Sequence, residues 1–366
     1  MKIGLVIYGS LDTVSGGYLY DRKLVAYLRS RGDEVTVLSI PTGHYLGHLL
    51  DNFSFRLPPD FEIIIEDELV HPSLLAANRA HSLKGGCAVP LVSLVHNLHS
   101  SEPRAAWQNA FYRTIERRHL ASVDGHVFNS TVTQGSVARL VDHVKPHVLA
   151  PPGGDRLGHL SFDAIQERLS RKGPLRLVFL ANLIPLKGLH VLLEALRELP
   201  PGVCTLDVAG SLDIDAAYSA RMRQAASSYT MPVTFHGAVD GQPLVDLLTQ
   251  SDVLVIPSYY EGFGIAYLEG MAFGLPAIGT TAGAIPQMIQ QGVNGLMIEP
   301  GDADGLKAVI RRLADDRRLL GRLSIGARTR FDTCPTWEYS GQAVRGFLLQ
   351  LLGRDLSNQP DDRREQ

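Results

Sequence analysis

Cysteine is scarce. Cys87, Cys204 and Cys334 are the whole complement of 366 residues, too far apart to pair fully and outside any C-x-x-C or His-Cys spacing. A disulfide scaffold and a zinc ribbon are therefore not expected, and reduced, buried thiols are. Long apolar runs are missing too: no stretch reaches the roughly 18 residues of a membrane-spanning helix. The chain opens directly on a strand-like run, Ile3 to Ile7, without a basic leader or cleavage site, so a cytoplasmic location is expected. Charge of one sign is not in excess: 35 Lys and Arg face 38 Asp and Glu, a net charge of −3. With no block of like charges, nucleic acid is not an expected partner. Finally, no G-x-G-x-x-G is present, which removes the fingerprint of an NAD-dependent oxidoreductase.

What is present is alternation. With 45% hydrophobic and 20% charged residues, the chain is long enough for two domains with cores of their own. Short apolar runs occur at residues 2–8, 34–39, 61–66, 91–95 and 125–128, separated by helix-period segments. The pattern restarts at 175–181, a helix at 188–199 and a run at 204–209. Such alternation predicts parallel sheets covered on both faces, hence an α/β protein of two Rossmann-like domains. Pro151-Pro152-Gly153-Gly154-Asp155 breaks regular structure and closes the first. The expected organisation is an N-terminal domain over 1–155, a linker over 156–173, a C-terminal domain over 174–335, a last helix over 336–353 and a disordered polar tail over 354–366. Between the second and third runs, Leu46, Leu49, Leu50, Phe53 and Phe55 are expected to pack under the domain edge, with an acceptor-facing or membrane-touching flap as the alternative. The helix-period segment 103–120 sets Trp107, Ala110, Phe111 and Ile115 beside several arginines. A solvated face explains it most simply, and contact with a membrane surface stays open.

Chemistry concentrates in residues 257–276, PSYYEGFGIAYLEGMAFGLP, after the apolar run 252–256. A strand that breaks at Pro257, turns through Gly262 and Gly264 and becomes a helix is built to hold an anion. The first helical amides, near Ile265 and Ala266, lack intrahelical acceptors and carry the positive end of the dipole. Glu261 and Glu269 flank the turn at a spacing of roughly 10 Å along a helix, so one phosphate-bearing ligand could set a hydroxylated group against each. That describes a nucleotide sugar. Taken alone, the pair reads better as a solvated loop charge and a helix-face charge.

The stretch EGFGIAYLE, continued by GMAFGLPAIGTTAGAIPQMIQQGVNGLMIEPGD, resembles the E-x7-E region of the retaining glycosyltransferases of family 4 over about forty residues without a gap. The resemblance implies the GT-B architecture, two Rossmann-like domains facing a central cleft. It also implies a catalytic activity that moves a sugar from a nucleoside diphosphate to an unidentified acceptor, with no cofactor and no metal. It casts Glu261, His96 and Lys187 as catalytic, with His96 near the donor sugar at the end of the run 91–95 and Lys187 neutralising the diphosphate. Donor binding falls to Glu269, Gly16, Gly17, Asn182, Gly262, Phe263, Gly264, Ile265 and Gly237. Here Asn182 stands where the family usually has an arginine, which leaves the diphosphate one cation short. Asp213-Ile214-Asp215 spells a chelating triplet but sits away from these loops. The alternatives are a nucleotide-sugar-binding module without catalysis and an epimerase of GT-B fold.

Overall fold

The computed structural model describes residues 1–83 and 89–354. Cys87 and the expected tail beyond Arg354 lie outside them. Two compact units divide the chain: Met1–Thr13, Gly17–Pro151 and the stretch from Glu338 form the first, and Pro152–Trp337 with Val14–Gly16 the second.

The first unit is built on β1 (Lys2–Tyr8), β2 (Glu34–Ile40), β3 (Ile63–Asp67), β4 (Leu91–Val95), β5 (Gly125–Phe128) and β6 (His147–Leu149). They form one parallel sheet in the order β2-β1-β3-β4-β5-β6. Runs such as Ile63-Ile64-Ile65 are apolar without alternation because both faces of this sheet are covered. Strand order reverses between β1 and β3, and the carboxyl ends of strands beside such a reversal open onto a crevice between loops. The helix Gly16–Ser30 follows β1 there, Asp67 ends β3 and His96 follows β4.

The second unit repeats the plan with β7 (Leu175–Leu180), β8 (Cys204–Ala209), β9 (Val233–Gly237), β10 (Val253–Val255), β11 (Ala277–Thr280) and β12 (Gly295–Ile298). Their order is β12-β11-β10-β7-β8-β9, again all parallel, with the reversal between β7 and β10. Leu189, Leu192, Leu193 and Leu196 of the helix Leu189–Arg197 are buried in its core, as their spacing predicts.

Three expectations need correction. Residues 156–173 are no linker: they give a turn at Asp155–Leu157 and a helix at Phe162–Ser170 that belong to the second unit. Within that helix Ile165 is buried, and the buried Arg168 donates to the carbonyls of Phe273 and Gly274 at 2.8 and 2.9 Å. Those carbonyls end a helix and have no intrahelical donor, which is why an arginine sits inside. Second, Leu46, Leu50 and Phe53 are 68%, 66% and 79% exposed, so the flap they occupy does not bury them; Phe55 and Leu57 do pack inward. Third, of the described cysteines Cys204 is buried but Cys334 is only half-buried.

Candidate active site

Within the second unit, the strand-order reversal sets the loop after β7 against the loop after β10. The backbone N–H of Tyr259 donates to the Leu186 carbonyl at 2.8 Å. Gly188, at φ +72°, lies so close that a Cβ there would sit 2.1 Å from the Pro257 carbonyl oxygen. A left-handed glycine is thus required for the two loops to touch. The contact places Lys187 beside Glu261: its Nζ donates to both carboxylate oxygens at 2.8 and 2.9 Å, and Ser258 Oγ adds a donor to Oε1 at 2.8 Å. Glu261 is held from behind as well, because the Ala284 N–H donates to its carbonyl at 2.9 Å.

Past Glu261 the chain runs through Gly262 and Phe263 to Gly264, whose φ of +94° starts the helix Ile265–Ala272 with no side-chain cap. The uncapped amides of that first turn remain available to an anion. Tyr267 locks the turn by donating to the Ile256 carbonyl at 2.8 Å. On the helix, Glu269 is 5% exposed and accepts from Arg156 Nε at 2.8 Å and Nη2 at 2.6 Å. Arg156 also pairs with Asp240, in the loop after β9, where Gly237 ends the strand at φ +71°. The Asn182 side-chain oxygen accepts from Ser211 N at 3.1 Å and so braces the loop. Asp215 is a helix cap, accepting from Tyr218 N at 2.9 Å, which gives the Asp213-Ile214-Asp215 triplet a structural role. His190 bridges Tyr218 and Tyr259 through its two ring nitrogens at 2.8 and 3.2 Å, a brace beneath the 257–261 loop that sequence reading missed.

In the first unit His96 is 9% exposed. Its Nε2 meets Asp21 Oδ1 at 3.1 Å, and Asp67 Oδ2 lies 3.7 Å away. Glu68 accepts from the backbone N–H groups of His96 and Asn97 at 2.8 and 3.2 Å, and Asn129 donates to the His96 carbonyl at 2.8 Å. Gly17 passes close to the ring, since a Cβ there would lie 3.3 Å from Cδ2, and Gly16 opens the same helix. Burial pushes the carboxyl of Asp21 up to about 7, raises those of Asp67 and Glu68 well above the usual range and lowers the imidazole of His96. Low dielectric around each group disfavours its charged form. Sequence reading found His96 but neither aspartate.

Residues 161–330 match the protein family described as "Glycosyl transferases group 1". The chain is a glycosyltransferase, and its second unit carries a group 1 domain. The matched stretch holds Lys187, Glu261 and Glu269, while Arg156 falls just before it. Among curated relatives, the glycosyltransferase is 28% identical over 297 residues to the glycogen synthase of Mycobacterium tuberculosis, covering 78% of this chain and 69% of that protein. It is 28% identical over 257 residues to the D-inositol 3-phosphate glycosyltransferase of an Arthrobacter species, covering 64% and 60%. Its fold is similar to sucrose-phosphate synthase from Thermosynechococcus elongatus (TM-score 0.78, 20% identity, 96% of this chain and 99% of that one). It is also similar to Anabaena HepE, solved with UDP and glucose (TM-score 0.72, 18% identity, 95% and 99%). The fold is therefore GT-B, an α/β architecture of two Rossmann-like domains.

Proposed function

We propose that this glycosyltransferase moves a hexose-type sugar from a nucleoside diphosphate to an acceptor nucleophile with retention of anomeric configuration and without a metal. The observation that carries the reading is the Lys187–Glu261 pair held beside the uncapped N-terminus of the helix Ile265–Ala272. A compact ammonium and a set of backbone amides supply two sources of positive potential for a departing diphosphate. Preorganised charge of this kind usually does more than any other single effect to lower such a barrier. When the diphosphate draws the ammonium away, Glu261 is left with Ser258 and becomes an acceptor for sugar hydroxyls. Glu269, its carboxylate fixed by Arg156, accepts from the ribose diol. Arg156 is thus a second cation in the donor unit, present although Asn182 replaces the usual arginine.

HepE, solved with UDP-glucose, supports a nucleotide sugar as donor and places UDP-sugars first among those to test. The acceptor is assigned to the first unit. There, Tyr45 packs edge-on against Phe111 and Tyr112 of the helix Ala106–Ser122 at centroid distances of 6.1 and 4.7 Å, and Leu46, Leu50, Phe53 and Trp107 are exposed. A peripheral membrane contact would use this apolar surface. No helix among the described residues is long and apolar enough to cross a membrane.

The test is proton NMR of the reaction with UDP-, GDP- and ADP-hexoses and a mixed panel of acceptors, with and without chelator. The reading expects an acceptor-dependent product with the donor's anomeric configuration at unchanged rate in chelator. An inverted product would refute retention, strict loss of turnover in chelator restored by manganese would refute metal independence, and free epimerised sugar without acceptor would refute transfer.

A further inference from the structure

The second reversal of strand order, in the first unit, holds a group that the proposed chemistry leaves unexplained: three carboxyls, Asp21, Asp67 and Glu68, buried around one imidazole. Asp21 and Asp67 are 0% and 1% exposed, and no arginine or lysine forms an ion pair with them among the described residues. Buried charges without partners are too costly to persist, so the cluster must be neutralised from within.

Both Glu68 oxygens are taken by the amides of His96 and Asn97. Asp67 Oδ1 accepts from the Leu69 N–H at 2.7 Å, and Asp21 Oδ1 is the partner of His96 Nε2. Two oxygens are left without a donor, Asp21 Oδ2 and Asp67 Oδ2, both fully buried. Carboxylate oxygens of the two side chains and a ring nitrogen of His96 all lie within 4.8 Å of one another. Carboxyls this close cannot both ionise, and a single proton between them satisfies both orphan oxygens at once.

We infer that Asp21 and Asp67 share one proton and act together as positioning residues that fix His96 in the tautomer carrying hydrogen on Nε2, leaving Nδ1 as a hydrogen-bond acceptor for a sugar hydroxyl. With Asp67 as the protonated member, Asp21 stays anionic toward the ring and takes the Nε2 hydrogen. Nδ1 has no hydrogen-bond partner among the described residues. The backbone clamps from Glu68 and Asn129 hold the residue, Tyr20 packs edge-on at 5.1 Å, and the missing side chain at Gly17 spares the ring a contact at Cδ2. Which ring nitrogen carries hydrogen is set by the bond that the other partner makes, so the carboxyl pair decides what His96 offers.

Acid reverses the arrangement. A second proton neutralises Asp21, whose hydroxyl then donates to Nε2; hydrogen moves to Nδ1, and the ring offers a donor where it had offered an acceptor. The other titratable groups facing the cluster are Tyr8 from β1, Tyr18, Tyr20 and Arg22 from the helix Gly16–Ser30, and Glu68 after β3. Burial raises the three tyrosines far above neutrality and Glu68 well above its ordinary value, while the nearby Arg22 favours ionised Asp21. The change near pH 7 therefore belongs to the aspartate pair.

The inference rests on the functional reading that His96 meets a sugar hydroxyl, and the experiment separates the two. Full-length protein labelled with 15N in its histidine rings, with His96→Gln to assign the resonance, should show Nε2–H at pH 8 and a shift toward Nδ1–H by pH 6. Asp67→Asn replaces the shared proton by a permanent amide N–H and keeps Asp21 ionised. His96 should then remain Nε2–H at pH 6, and the acid limb of kcat/KM should move down by at least one pH unit. Nδ1–H at pH 8, an unmoved limb in Asp67→Asn, or a stoichiometric divalent metal retained by the purified protein at this cluster would overturn the inference. Full turnover in His96→Gln, with the tautomers as stated, would instead sink the functional reading and leave the tautomer assignment intact.

Discussion

Removing the ammonium of Lys187 separates a structural ion pair from a catalytic one. In Lys187→Ala, Glu261 keeps only the Ser258 hydroxyl as side-chain donor while remaining 8% exposed. Stranding one member of a buried pair costs roughly 3–5 kcal/mol. Here the lysine side chain is 22% exposed and the glutamate side chain 10%, so water recovers part of that loss and about 2 kcal/mol is expected. For a domain of this size that is a fall in Tm of roughly 4–8 °C. Glu261→Gln leaves the more exposed partner behind and should cost less, while the double variant Lys187→Ala/Glu261→Gln strands no charge and should regain much of the stability lost in Lys187→Ala. Turnover should behave differently. Losing a preorganised charge at the leaving group costs roughly 10²–10³ in kcat, and the double variant cannot restore it. Urea denaturation and initial rates on the four proteins of this cycle read both quantities. A double variant that recovers stability and turnover together would refute the assignment of the pair to chemistry. A Lys187→Ala protein unchanged in both would refute the geometry itself.

Two further outcomes follow from the same structure. Arg156→Ala should weaken nucleoside diphosphate binding about tenfold by calorimetry, because the Glu269 carboxylate loses the guanidinium that fixes it, a loss comparable to one charge-assisted hydrogen bond; tighter binding would mean instead that Arg156 obstructs the site. Asp21→Asn should gain stability relative to the wild type as pH rises between about 4 and 7. Burial raises the Asp21 carboxyl from 3.8 to about 7, so over that window the folded state holds a proton that the unfolded chain has released, and wild-type stability declines. Denaturation midpoints at pH 5 and pH 8 check the sign, and a difference independent of pH would count against the buried, protonated carboxyl.

The meeting of Lys187 and Glu261 in the second unit was legible because its grammar is local. Lys187 lies in the loop after one strand and Glu261 in the loop after another, and each of these loops holds a left-handed glycine, Gly188 and Gly264. Parallel sheets put such loops at one edge, so adjacency in sequence became adjacency in space. Arg156 escaped because its partner Glu269 is 113 residues away and nothing near Arg156 hints at it; a polar stretch with several glycines and serines looked like a connection. Asp21 and His96 are 75 residues apart, and their meeting depends on the order of strands, which periodicity does not give. One signal was available: Glu66-Asp67-Glu68 continues the apolar run Ile63–Ile65, and carboxylates at the carboxyl end of a parallel strand sit where ligands bind. The flap failed for another reason. Apolar spacing marks a face that needs cover but not whether the fold supplies it, and Leu46, Leu50 and Phe53 are left uncovered in this chain.

The central claim is a donor site in the second unit, read by Glu269 on one side of the helix N-terminus and by Glu261 on the other. Isothermal titration of UDP, GDP and ADP into the wild type and into Glu269→Gln, a change that keeps the shape and removes the charge, tests it most directly. One nucleoside diphosphate bound selectively by the wild type, with affinity at least tenfold weaker in Glu269→Gln, is the result expected. Equal affinity in the two proteins, or no binding of any of the three, would contradict the account.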